Sequence, residues 1–160
     1  VILGSFGTKP NSVLNSIISQ VQVYIEEGRG AEIAPMMIEK FGQYIPEPLK
    51  KQILAQFSCM SDQQFQSFYE HSVFVSKMGD LKDHMNLELI QVPTLVVMGQ
   101  FDTIMDLFDT RKATQLIPLG CFKLIKGAGH FLHWEQPNIL PIYESFFSES
   151  SEQLESFNRA

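Results

Sequence analysis

Cysteine is scarce in this sequence. Only Cys59 and Cys121 occur in 160 residues, too few for the disulfide framework of a small secreted scaffold, and neither stands in a C-x-x-C or cysteine-histidine spacing that would collect a metal. Both read as buried thiols of a reducing, cytoplasmic compartment. Basic clusters are missing as well. The 12 Lys and Arg against 18 Asp and Glu leave a net charge of −6, and Lys50-Lys51 and Arg111-Lys112 are isolated pairs, so nothing here would displace counterions from a phosphate backbone. No nucleic-acid partner is expected. The longest apolar stretches fall short of the roughly 18–20 residues of a membrane span, and no basic-then-apolar opening marks a signal peptide. Neither an H-E-x-x-H spacing nor a Gly-rich phosphate loop occurs, so no metal and no cofactor is expected.

One further absence shapes the chemistry. No G-x-S-x-G pentapeptide, the strained strand-to-helix turn that lifts a serine above a sheet, occurs anywhere in the chain. The opening run Val1-Ile2-Leu3, without Met and followed by Gly4-Ser5-Phe6-Gly7, reads as a strand entered partway. The expectation is a piece of a longer protein whose apolar edge strand needs the missing half or a copy of itself.

What is present is a globular composition, 44% hydrophobic with 13 Phe and 7 Met, that can bury one moderate core. After a core strand over residues 1–7, the stretch 8–90 is helical in pattern. Val13, Leu14, Ile17, Ile18, Val21 and Ile25 recur at three- and four-residue steps up to Gly28-Arg29-Gly30. A second helix is expected over Ile33 to Phe41, with Pro35 in its first turn, and a third over Leu49 to Phe57. Ser61 with Gln64 three residues later is a capping-box pattern that opens a fourth. The apolar faces of these helices must bury something, either each other or a ligand beneath them. Met36, Met37, Met60 and Met78 suit an adaptable surface of that kind and suit ordinary core gaps too.

From Pro93 the pattern becomes strand, helix, strand, helix, the signature of a parallel sheet. Thr94 to Met98 and Phe122 to Ile125 are the strands, Ile104 to Ile117 the intervening helix, and a last helix lies around Ile139 to Phe147, with Pro141 awkward inside it. Residues 91–148 thus form a C-terminal core, and 149–160 a polar tail. Asp102 falls just past the first of these strands, and His130 follows the second through Gly127-Ala128-Gly129. Ligands of open parallel sheets bind at the carboxyl ends of the strands, so an acid and a histidine delivered there are candidate partners. A histidine acting as general base needs an acid to fix its tautomer and stabilise the imidazolium, which makes Asp102 and His130 the candidate catalytic pair. Asp106 and Asp109 are rivals for the acid, although Asp106 suits a helix N-terminus. His133 and Glu135 are rivals near the base, while His71 and His84 read as boundary residues of the helical insertion. No nucleophile is evident in the chain.

The run V-P-T-L-V-V-M-G-Q-F-D, then I-P, then F-K-L-I-K-G-A-G-H-F-L-H-W-E-Q-P resembles the C-terminal part of the α/β-hydrolase family. The resemblance implies an α/β fold with a parallel sheet fragment of about three strands and a helical cap. It also implies Asp102 as acid, His130 as base, and a serine nucleophile upstream. A narrower similarity, carried by G-Q-Y-I-P-E-P-L-K, G-Q-F-D and G-A-G-H-F-L, is to the synthases that join two 3-hydroxyacyl chains into the lipid precursor of rhamnolipids. The expected substrate is a small hydrophobic ester or thioester. Hydrolysis, acyl transfer between 3-hydroxyacyl thioesters and a non-catalytic binding module on the same fold all remain compatible with these residues.

Overall fold

The computed structural model describes residues 1–148, so the expected tail at 149–160 lies outside the described residues. Its centre is a parallel sheet of three strands in the order β1-β2-β3. These are β1 (Ile2–Gly4), β2 (Thr94–Gly99) and β3 (Gly120–Ile125). Leu3 pairs with Val96 on one side of β2, and Val96 with Phe122 on the other. All six residues of β2 are buried, which is why this segment reads as a continuous apolar run and not as an alternating one.

Between β1 and β2 lies a helical layer. It comprises α1 (Ser12–Glu26), α2 (Ile33–Phe41), α3 (Glu47–Ser58) and α4 (Asp62–Lys77). Asn11 caps α1 by accepting from the Leu14 N–H, and Ser61 and Gln64 form the expected reciprocal capping box on α4. Ile17, Val21, Ile33, Met36 and Phe41 bury their stripes together, joined by Ile104 from the sheet side. The layer is shorter than its pattern suggested. Helix α4 ends before Gly79, whose φ of 69° is left-handed, and short 3₁₀ turns at Leu81–Asp83 and Leu87–Leu89 lead back to the sheet.

After β2 the chain forms α5 (Leu107–Leu116), and after β3 the short α6 (Leu132–Glu135), then α7 (Leu140–Ser148). Leu95, Val97, Cys121, Ile125, Leu132, Ile139 and Phe146 form one core under the sheet. Pro141 is the second residue of α7, where its missing N–H would have had no intrahelical partner. Two expectations are corrected. Helix α5 begins at Leu107, not Ile104, because the N–H groups of Ile104 and Met105 turn back to the Asp102 side chain, and Asp106 caps the helix instead. Cys59 is exposed, while Cys121 is buried. Cys59 follows α3 in the connector to α4 and so escapes the helical core.

The burial pattern sets an expected stability contrast. Leu95 is fully buried and Leu89 is 74% exposed. Replacing Leu95 with Ala should cost about 2–5 kcal/mol of unfolding free energy in a denaturant titration, whereas Leu89→Ala should stay within about 0.5 kcal/mol.

Candidate functional site

Two loops meet at the carboxyl ends of β2 and β3. The first is anchored by Gln100 N–H to the Ile125 carbonyl at 2.9 Å, Phe101 N–H to the Ala128 carbonyl at 2.8 Å and Asp102 N–H to the Gly99 carbonyl at 3.2 Å. A Cβ at Gly99 would run into the carbonyl oxygens of Ala128 and Gly129, so only glycine lets the second loop approach this closely. Gly127, at φ 72°, supplies the left-handed turn that starts that loop.

The side chain of Asp102 is fully buried. Its Oδ1 accepts from Ile104 N–H at 2.9 Å and Met105 N–H at 3.1 Å, and its Oδ2 lies 2.9 Å from His130 Nδ1. A carboxylate only accepts, so Nδ1 carries the proton, and in the neutral imidazole Nε2 then presents a lone pair. Among the described residues Nε2 has no hydrogen-bond partner. The His130 side chain is 22% exposed, and its ring meets the rings of Phe41 and Phe131 edge to face, with centroids 6.1 Å and 5.6 Å away.

The rival groups are engaged elsewhere. Asp106 accepts from Asp109 N–H at 2.8 Å, and Asp109 faces Lys9 at 3.4 Å. His133 Nε2 is 2.9 Å from the Tyr143 hydroxyl, and His84 Nε2 is 2.7 Å from the Met78 carbonyl. His71 does reach the neighbourhood of the pair, lining the cavity described next. No group of three or more His, Cys, Asp or Glu among the described residues is placed to hold a metal ion. None of their helices is long and apolar enough to cross a membrane.

Two features escaped the sequence reading. Ser5 has a φ of 47°, uncommon for a residue with a side chain, and its hydroxyl donates to the His130 carbonyl at 2.6 Å. Glu135 is buried, and its carboxylate accepts from the Gly129 N–H and, at 3.3 Å, from the Phe131 N–H. A buried glutamate in an amphipathic tetrapeptide, followed by Pro137, carried no sequence signal beyond its proximity to His130. Burial pushes the Glu135 carboxyl above the usual carboxylate range, and Asp102 adds to the rise. The two backbone N–H groups and His130 act against them.

Cavities open on both sides of His130. One, of about 250 Å³, lies between the helical layer and the loops at the sheet edge; Ile17, Val21, Met37, Phe68 and Ile104 are among its walls, and His130 is another. Another, of about 350 Å³, borders Gly4, Ser5, His133 and Trp134 at the end of β1. The first is walled almost wholly by apolar side chains, and the second borders the His130 loop on the β1 side.

No family model matches the chain. A curated relative, the (R)-3-hydroxydecanoyl-ACP:CoA transacylase of Pseudomonas aeruginosa, is 22% identical over 134 residues, covering 84% of this chain and 45% of the relative. Among solved structures, MGS-M2, an α/β-hydrolase enzyme from a Medee basin deep-sea metagenome library, superposes with a TM-score of 0.71 at 17% identity, over 93% of this chain and 56% of its own. MenH from S. aureus gives a TM-score of 0.72 at 20% identity over 91% and 57%. The carboxylesterase CesB from Bacillus subtilis gives 0.65 at 21% over 92% and 50%. The chain therefore has part of an α/β-hydrolase fold, and it spans about half the length of the proteins it matches.

Glu135 sets an expected pH dependence. Because its folded-state value lies above the unfolded one, its contribution to stability is fully present below the unfolded value and is lost as pH rises through the folded one. Unfolding free energy measured across the acid range should therefore contain a component that falls with rising pH, and Glu135→Gln should remove it.

Proposed function

We propose that this chain is the acid-histidine part of an α/β-hydrolase acting on an ester or thioester of a hydrophobic acyl group. Asp102 orients His130, and the helical layer acts as a cap over the acyl chain. The observation that carries the reading is the buried Asp102 carboxylate at 2.9 Å from His130 Nδ1, with the same histidine lining an apolar cavity. A hydroxyl nucleophile at Nε2 would lose its proton to His130 as its oxygen bonds to the acyl carbon. His130 would return that proton to the departing alkoxide or thiolate, leaving an acyl-enzyme. Asp102 keeps the imidazole in the tautomer that can do this and stabilises the imidazolium in between.

No serine of this chain is our candidate for the nucleophile, since Ser5 spends its hydroxyl on the His130 carbonyl. We infer that it comes from a segment outside these residues. Two facts support this: the chain spans about half of its relatives, and β1 has β2 as its one strand partner among the described residues.

A second reading is acyl transfer, in which a hydroxyl or thiol in place of water accepts the acyl group. The transacylase of Pseudomonas aeruginosa favours it, as does the almost wholly apolar cavity beside His130, which offers water few partners. The two readings share every residue named above and differ only in the acceptor.

The parent protein should hydrolyse or transfer medium-chain acyl esters and thioesters. His130→Ala and Asp102→Asn should each lower kcat by about 10³–10⁴-fold while leaving the protein folded. Residues 1–160 alone should show no turnover. Free acid as the product identifies a hydrolase, and a new ester or thioester a transferase. Undiminished turnover in His130→Ala would overturn both readings.

A further inference from the structure

The geometry points to Glu135 as the positioning residue of His130, a part assigned to it by neither the motif nor the acid-histidine pair. The inference rests on the reading of His130 as the general base. A carboxylate in an apolar surrounding is unfavourable unless hydrogen bonds replace its water, and Glu135 is 8% exposed. Its two oxygens take the N–H groups of Gly129 and Phe131, the residues immediately before and after His130.

The remaining bonds close the loop on itself. Trp134 N–H and Glu135 N–H both return to the Phe131 carbonyl, at 2.9 Å and 3.0 Å, and Ser5 takes the His130 carbonyl at 2.6 Å. The peptide that follows His130 is thus held at both its polar ends, its N–H by Glu135 and its carbonyl by Ser5, while the same carboxylate also takes the N–H of Gly129 on the other side of the histidine. Helix α6 has only four residues, too few to hold its own entry loop by helix propensity. Asp102 holds the imidazole at Nδ1, and Glu135 holds the backbone from which the side chain springs. A Cβ at Gly129 would touch both Glu135 carboxylate oxygens at 3.2 Å and 3.3 Å, so the loop lies directly on the carboxylate.

Were Glu135 merely a cap for α6, its loss would lower stability and leave the orientation of His130 in the folded protein unchanged. A positioning residue behaves differently, because a displacement of about 1 Å at a reacting group can cost about 100-fold in rate. Glutamine keeps the shape but turns one acceptor into a donor facing an N–H, so one of the two bonds fails.

The test uses the full-length parent with Glu135→Gln and Glu135→Asp, read by steady-state kinetics and by NMR of the His130 ring nitrogens. Expected for Glu135→Gln is a 10- to 100-fold lower kcat with KM changed less than about twofold, together with shifted or broadened His130 ring signals in a protein that melts cooperatively. Glu135→Asp, which keeps two acceptor oxygens on a shorter stem, should recover part of both. Unchanged His130 signals in folded Glu135→Gln, or an unchanged kcat, would overturn the inference. Should Glu135→Gln fail to fold, Glu135→Asp alone decides it by the same two readouts. If instead His130→Ala retains full activity, the general-base reading falls, while the ring signals of Glu135→Gln still report whether the carboxylate holds the loop.

Discussion

One buried carboxylate joins the side chains of the two loops of this site, whose backbones also meet through the Phe101 N–H and the Ala128 carbonyl. Asp102 has no exposed side-chain surface, and a charge in that position is tolerated only when its lone pairs are occupied. Two of its hydrogen bonds go forward to Ile104 and Met105 and fold its own loop into a turn, and the third crosses to His130 on the other loop. Removing any of the three donors would leave part of a buried charge bare. The turn, the late start of α5 and the placement of Ile104 in the core of the helical layer all follow from satisfying one side chain.

The sheet makes that meeting possible. Strand β2 is central and buried at all six positions, so its end and that of β3 emerge side by side, with Gly99 opposite Ile125 in register. Parallel pairing places both carboxyl ends at the same edge, and the absence of a side chain at Gly99 lets the 127–131 loop lie against the 100–102 loop. The acid and the histidine are 28 residues apart in sequence yet separated by one strand spacing.

Much of this was legible in the sequence because the signals were local. Apolar runs marked β2 and β3, the three- and four-residue recurrence marked α1, Pro35 suited the first turn of α2, and the Ser61 and Gln64 pair marked the start of α4. Sequence spacing also put Asp102 and His130 at neighbouring strand ends, where they are found. What was not legible depended on bonds between distant residues. Ile104 to Asp106 has helical composition, but the Asp102 side chain captures its N–H groups. The Ser5 hydroxyl bonds a carbonyl 125 residues away, and nothing in G-S-F-G announces it. Glu135 looked like one more acid beside a histidine, since a buried carboxylate and a solvated one are written with the same letter. Cys59 looked like a core thiol because a helix end and a helix interior differ little in composition.

The helical layer shows why its function was harder to read than its fold. Ile17, Val21, Met36, Phe41 and Ile104 belong to one buried cluster, and Ile17, Val21, Phe41 and Ile104 also line the cavity that His130 borders. A residue that packs the layer and a residue that walls a ligand cavity satisfy the same demand, exclusion of water from apolar surface, so no apolar pattern separates the two. Phe41 marks the junction, with its ring 6.1 Å from that of His130 and 5.2 Å from that of Phe131. The layer's packing therefore reaches the imidazole itself. Any movement of α2 would alter the surroundings of His130 along with the width of the cavity.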